Sequence, residues 1–188
     1  MSHEHEVRHL SEVDRRKFLQ LSSFATGLVF VNSILSLESA AALPSAKLPG
    51  FTAFAKSVKV FKSGKYYLVE SNGIPAHQMM VGIKSWQQQV PTIQNYAGTN
   101  AWSIPIKPVI ATNPISAKDH FLRGAIAIAV NGVPIFNALN NRGDDALLAG
   151  ELDDWGGHCG RADDYHYHIA PTHLQSVVGK KVPIAYAL

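Results

Sequence analysis

Short apolar runs separated by glycine and proline dominate the sequence after residue 42 and limit the folds open to it. Residues 58–61 and 66–69 are rich in β-branched and aromatic side chains and flank a short turn that contains Gly64, which is the pattern of a β-hairpin. Residues 124–130 form an uninterrupted apolar run, and Asn131-Gly132 then turns the chain. These patterns predict a mainly β fold.

Prolines at positions 91, 105 and 108 punctuate the polar stretch 87–108. Proline lacks an amide hydrogen, so this stretch excludes a long helix and a central strand. The one helix that we predict after residue 42 is short, from 173 to 178, with Thr172 as its cap. The last apolar run, 183–188, should pair with 125–130. We therefore expect a single compact, antiparallel-rich β domain with one short helix near the C-terminus.

The composition is that of one folded domain. The chain has 188 residues, of which 46% are hydrophobic and 16% are charged, whereas disordered chains have the opposite balance. The net charge is only +3 and forms no dense basic patch, so nucleic acid is not an expected partner. A single cysteine excludes an internal disulfide framework and a four-cysteine zinc site.

Residues 1–42 have the organisation of a signal peptide. Arg15 and Arg16 precede the uncharged stretch 18–37, and Ala40-Ala41-Ala42 follows it. A positively charged N-terminal region, an apolar middle region and small residues at the cleavage site are typical of export signals. The paired arginines, followed after one position by Phe-Leu, resemble the twin-arginine signal.

An uncleaved membrane anchor is the alternative, because about twenty uncharged residues can span a bilayer. The serine, glycine and asparagine content of 18–37 favours a cleaved signal instead. We therefore expect cleavage near Ala42, a periplasmic or extracellular location, and no stable membrane span after cleavage.

Four histidines lie in the short window between 153 and 173. If residues 165–169 are extended, His166 and His168 share one face of the strand, and Tyr165 and Tyr167 share the other. Two same-face positions are roughly 6–7 Å apart at the backbone, so the imidazole nitrogens can converge on one ion. Neutral imidazole is the commonest metal ligand near neutral pH. The pattern therefore predicts a metal site.

Further candidate ligands surround this pair. His158 follows two glycines, which permit an unusual backbone path, and would supply a third nitrogen. Asp163 or Asp164 would either ligate the ion or orient a histidine. Mixed nitrogen and oxygen ligation suits zinc or copper, and an open coordination position would allow a metal-activated water and hydrolysis. The residues identify neither the ligand nor a reaction.

Two other interpretations stay open at this point. The histidines and tyrosines can satisfy one another in a buried polar network, within a non-catalytic envelope or extracellular binding module. Cys159 can instead be a nucleophile with a histidine as its base, although the neighbouring His158 points to the other side of a strand. The sequence has no phosphate-binding or dinucleotide-binding glycine motif, so no nucleotide cofactor is expected. His77 and His120 stand in polar loops and are assigned structural roles, although the fold could bring either of them to the site.

The tetrapeptide Tyr165-His166-Tyr167-His168 resembles the signature of the YHYH domain, an exported family of unknown biochemical activity that is named after it. Further similar segments are 71–77, 129–136, 157–158 and 183–188. The resemblance covers most of residues 43–188 and implies that they form one YHYH domain.

The chain departs from the family pattern in two places. Many members carry a cysteine before the Gly-His pair, whereas Cys159 follows it here, which weakens the assignment of Cys159 as a ligand. Relatives also usually continue past the alanine-rich strand into an Asp-Gly-aromatic-Pro turn, whereas this chain ends at Leu188. The resemblance therefore leaves two alternatives, a buried C-terminal strand or a truncated domain.

Overall fold

The structure is a computed structural model and describes residues 48–188. The predicted signal peptide, residues 1–42, and its cleavage site lie outside the described residues. Within 48–188 the chain is mainly β, as predicted, and falls within one compact unit. The strands are β1 (Lys59–Ser63), β2 (Tyr66–Glu70), β3 (Trp102–Pro105), β4 (Ala125–Ala129), β5 (Pro134–Phe136), β6 (Gly157–Cys159), β7 (Tyr165–Tyr167) and β8 (Ala185–Ala187).

The first sheet has three antiparallel strands in the order β1-β2-β3. The predicted hairpin is confirmed, with Val60 opposite Val69 and with Gly64 in the turn at a φ of 55°. A positive φ favours glycine because it has no Cβ. β3 is an edge strand that ends at Pro105, which agrees with the exclusion of a central strand from this proline-rich stretch.

The second sheet has five strands in the order β6-β7-β5-β4-β8. β8 pairs antiparallel with β4, with Ile128 opposite Tyr186, so the predicted pairing of the last apolar run is confirmed. All neighbours in this sheet are antiparallel except β5 and β7. β6 and β7, at one edge, carry His158 and most of the tetrapeptide.

Apolar side chains from both sheets share one core, in which Val69 and Ile128 are fully buried. The Asn131-Gly132 turn brings the sheets together. The Ser71 hydroxyl donates to the Gly132 carbonyl at 2.6 Å. Gly132 has a φ of 82°, and a Cβ there would lie 2.5 Å from the Cβ of Ser71. Glycine is therefore required at this turn for conformational and steric reasons.

Side chains from residues 80–89 cover the outer edge of β6. The Cys159 amide donates to Met80 Sδ at 3.2 Å, and Trp86 Nε1 donates to the Cys159 carbonyl at 3.1 Å. Gln89 Nε2 donates to the next carbonyl, that of Gly160, at 2.6 Å. An uncovered strand edge would present free backbone groups to other chains, and this segment occupies them without forming a strand.

The predicted helix near the C-terminus is present in two short pieces. A 3-10 turn, Thr172–Leu174, leads into α1 (Gln175–Val178). Thr172 is not the cap that we expected, because the Leu174 amide already bonds to the Pro171 carbonyl and Thr172 lies inside the turn. In the part of the chain from 48 onward, no helix has the length and apolar character needed to cross a membrane.

Candidate metal centre

The pairing of β6 with β7 places three imidazoles on one face of the second sheet. His158 lies directly opposite His166, and His168 follows two positions later. Because side chains alternate along a strand, Cys159, Tyr165 and Tyr167 project from the opposite face. The predicted division of the tetrapeptide into a histidine face and a tyrosine face is therefore confirmed.

The three rings are buried and their nitrogens converge. One ring nitrogen from each of His158, His166 and His168 lies within 4.8 Å of the other two. The exposed fractions of these residues are 4%, 3% and 6%. Nε2 of His158 and Nε2 of His168 are 3.1 Å apart. Between residues 48 and 188, this is the one group of histidine, cysteine or carboxylate side chains arranged to hold a metal ion.

A backbone carbonyl holds the Nδ1 atom of each ring. His158 Nδ1 donates to Glu151 at 3.0 Å, His166 Nδ1 donates to Asp164 at 2.9 Å, and His168 Nδ1 donates to Asn137. A carbonyl oxygen only accepts, so each Nδ1 carries a hydrogen, and in a neutral ring the lone pair is then on Nε2. Each ring therefore bonds to a backbone carbonyl through Nδ1, and its Nε2 lone pair remains available to a metal ion.

The short contact between His158 and His168 brings two lone pairs together. A hydrogen bond there would need a second proton on one ring, which would make that ring an imidazolium. Burial and the neighbouring His166 and His168 together lower the pKa of His158 to about 3, and burial and His166 together lower that of His168 to about 4. Both rings are therefore neutral near pH 7, and a cation between them would satisfy both Nε2 atoms.

Two aromatic side chains fix the planes of the rings. Trp86 stacks on His158 with ring centroids 4.7 Å apart, and Phe136 stacks on His166 at 4.0 Å. The Trp86 indole is itself tied down by hydrogen bonds to Gln89 and to the Cys159 carbonyl. Sequence analysis did not identify either aromatic residue, since both lie outside the histidine-rich window and no local pattern distinguishes them.

The two candidate aspartates lie beside the group rather than in it. Asp164 Oδ2 is 3.7 Å from His166 Nδ1, on the side that the Asp164 carbonyl already holds. Burial opposes ionisation of Asp164, but its interactions with His166 prevail and lower the pKa of Asp164. Asp163 instead accepts from Gln89 Nε2 at 2.9 Å. Of the two, Asp164 is placed to orient a histidine.

Cys159 is separated from the imidazoles by the sheet itself. Its thiol is completely buried in the core. Burial, together with the nearby Asp163, Asp164 and Asp153, raises its pKa to about 12. Because the thiolate is the reactive and ligating form, this cysteine is neither a ligand nor an activated nucleophile.

The tyrosine face carries a separate, largely buried polar network. The Tyr165 hydroxyl donates to Asp153 Oδ2 at 2.8 Å, and Asp153 also accepts from three backbone amides. The Tyr167 hydroxyl lies 2.7 Å from His77 Nε2 and accepts from Asn131 Nδ2 at 3.0 Å. His77 thus takes part in the network, whereas His120 lies in an exposed loop with Nδ1 near the Ser116 carbonyl.

Replacing Tyr165 by phenylalanine should lower stability without changing the metal centre. The variant loses a buried hydrogen bond to a carboxylate, which contributes about 1.5–3 kcal/mol to the free energy of unfolding. The imidazoles lie on the other face and keep their carbonyl partners. Chemical unfolding and metal titration test the two effects separately. Tyr66→Phe, at a half-exposed tyrosine, is the control, and metal loss in Tyr165→Phe alone would contradict the separation of faces.

The metal-free protein should lose stability as the pH falls from about 6.5 to about 4. The folded rings of His158 and His168 resist protonation, with pKa values of about 3 and about 4. In this window the unfolded chain binds more protons, so stability rises with pH by up to about 1.4 kcal/mol per pH unit for each ring. Burial also lowers the pKa of His77 and of His173, which act in the same direction.

Urea unfolding at several pH values, in the presence of a chelator, measures this dependence. His168→Gln should flatten the profile by removing one contribution, whereas His120→Gln, at an exposed histidine, should leave it unchanged. Equal slopes in the two variants would count against the buried neutral rings.

Comparison with known proteins identifies a matching family. The model of a family described as YHYH protein matches residues 101–188, a segment that contains the strands β3 to β8 and all three imidazoles. Searches of the curated proteins and of the solved structures found no match. β1, β2 and the covering segment with Trp86 precede the matched residues. Residues 101–188, which include the buried histidine triad, therefore resemble the YHYH family.

Proposed function

We propose that this protein is an exported metal-binding protein that holds one transition-metal ion on His158, His166 and His168. The contact between His158 Nε2 and His168 Nε2 at 3.1 Å carries the proposal. Both Nδ1 hydrogens are committed to carbonyls, so each Nε2 presents a lone pair to the other. A metal ion between the rings converts this repulsion into two bonds.

Zinc or copper suits this set of donors best. Imidazole nitrogen is a preferred ligand of both ions, whereas magnesium and calcium prefer oxygen. Two nitrogens on a tetrahedral zinc ion are about 3.3 Å apart, from bond lengths of about 2.0–2.1 Å, which is close to the 3.1 Å contact. Three protein nitrogens leave a fourth position that water or a ligand fills, and a metal-bound water there would add hydrolytic chemistry.

A second candidate function is that of a non-catalytic envelope or extracellular module in which the motif is a structural network. The tyrosine face favours it, because Tyr165 and Tyr167 have complete hydrogen bonds without an ion. The two candidates differ on the histidine face. In the structural alternative the three imidazoles are stable without an ion. Added zinc or copper then does not bind and does not raise the stability of the protein.

The purified protein should bind about one zinc or copper ion per chain, and replacement of a ligand histidine by alanine should greatly reduce binding. Loss of an outer partner of a metal ligand typically costs about 10–100-fold in affinity. We expect His158→Ala and His168→Ala to reach at least the upper end of that range, because each removes a ligand itself. His120→Ala, at an exposed histidine, is the matched control. Competition with a chromophoric chelator measures the affinity, and elemental analysis measures the stoichiometry.

Metal should also raise the thermal midpoint of the wild-type protein, since an ion that binds only the folded state stabilises it. Wild-type protein that takes up no ion, or triad variants that bind as well as His120→Ala, would favour the structural alternative.

The proposed location is periplasmic or extracellular, supported by the twin-arginine pattern in residues 1–42. The twin-arginine route moves folded proteins, which fits a chain that takes up its ion before it crosses the membrane. Replacing Arg15 and Arg16 by lysine should block export, because the route recognises the arginine pair. Immunoblotting of cell fractions measures the exported share. Arg8→Lys, outside the pair, is the control, and normal export of the double variant would contradict this route.

A further inference from the structure

Two of the three carbonyls that hold the imidazoles come from the two ends of one loop, residues 137–151. The Asn137 carbonyl accepts from His168 Nδ1, and the Glu151 carbonyl accepts from His158 Nδ1. The two rings held in this way are the pair whose Nε2 atoms are 3.1 Å apart. The conformation of this loop therefore determines how the two rings face each other.

The loop is closed by its own backbone. Leu139 and Asp145 form an isolated bridge, and the Ala146 amide donates to the Ala138 carbonyl at 3.1 Å. The Glu151 amide then donates to the Ala146 carbonyl at 3.0 Å. These bonds connect the two ends of the loop through its middle, so a change inside the loop reaches both carbonyls.

A buried carboxylate lies inside this loop. The Glu151 side chain is 4% exposed, pairs with Arg142 Nη2, and accepts from Asn140 Nδ2 at 3.2 Å. Asn140 Oδ1 in turn accepts from the Arg142 amide at 2.9 Å and from the Asp144 amide at 3.0 Å. A buried carboxylate without a cationic partner is strongly destabilising, so Arg142 holds Glu151 in the interior.

We propose that Arg142 and Glu151 are positioning residues of the metal centre, which act through the Glu151 carbonyl on His158 and through the closed loop on His168. The inference rests on the metal site proposed above. Neither side chain contacts an imidazole. Glu151 joins the two networks because its carboxylate binds Arg142 while its carbonyl holds His158.

Removal of the Arg142 charge should therefore disturb the ligands through the backbone. The Glu151 carboxylate would keep only the Asn140 amide and would move toward water. That movement shifts the Glu151 carbonyl and releases His158 Nδ1, so the ring loses both its orientation and its fixed tautomer. Loss of an outer partner of a metal ligand typically costs 10–100-fold in metal affinity.

The test measures zinc affinity, by competition with a chelator, and the visible spectrum of the protein loaded with cobalt(II), which reports ligand geometry. Arg142→Gln should weaken zinc binding about 10–100-fold and alter the cobalt spectrum. Arg142→Lys retains the charge and should recover most of the affinity. Arg123→Gln, at an exposed arginine that makes no ion pair within residues 48–188, should match the wild type.

Glu151→Gln keeps the test valid if Arg142→Gln fails to fold. It leaves no uncompensated buried charge, since Arg142 is half-exposed and keeps Asp144, and its amide oxygen can still accept from Asn140. It too should shift the cobalt spectrum, since it weakens the link to Arg142. A lower thermal midpoint with unchanged zinc affinity and cobalt spectrum in both variants would overturn the inference. Wild-type protein that binds neither ion would instead refute the metal site itself, so the two failures are distinguishable.

Discussion

Antiparallel pairing of β6 with β7 is the interaction on which the rest of the site depends. With His158 opposite His166, the alternation of side chains separates the motif into two chemically different faces. One face gathers three imidazoles, and the other places two tyrosines and the cysteine in the core. A shift of one residue in this register would exchange the faces and put the imidazoles among apolar side chains.

Backbone carbonyls then determine which nitrogen of each imidazole carries the hydrogen. Each of the three rings gives its Nδ1 hydrogen to a carbonyl, from Glu151, Asp164 or Asn137. In each neutral ring, Nδ1 is therefore a hydrogen-bond donor and Nε2 carries the lone pair. The stacked Trp86 and Phe136 rings add the orientation that a single hydrogen bond does not fix. The centre is therefore built mostly from groups that carry no charge.

The acidic residues near the motif have distinct roles according to where the fold places them. Asp153, which composition alone would assign to a solvated loop, is 5% exposed and organises four donors on the tyrosine face. Asp164 lies behind His166, and Asp163 binds Gln89 on the segment that covers β6. The buried Glu151 carboxylate pairs with the half-exposed Arg142, while the Glu151 carbonyl holds His158.

The sequence by itself determined the local features of this protein. Strand alternation predicted the shared face of His166 and His168, and two β-rich runs around a glycine turn predicted the hairpin, because these features depend on residues close in the chain. The pairing of β8 with β4 joins distant segments, and it was predicted because both runs are apolar. Tertiary structure alone decided the carbonyls from Asn137 and Glu151, the stacking of Trp86, and the position of Asp163 outside the histidine group. Those contacts join segments far apart in the chain, so their geometry follows from how loops pack and not from any local pattern.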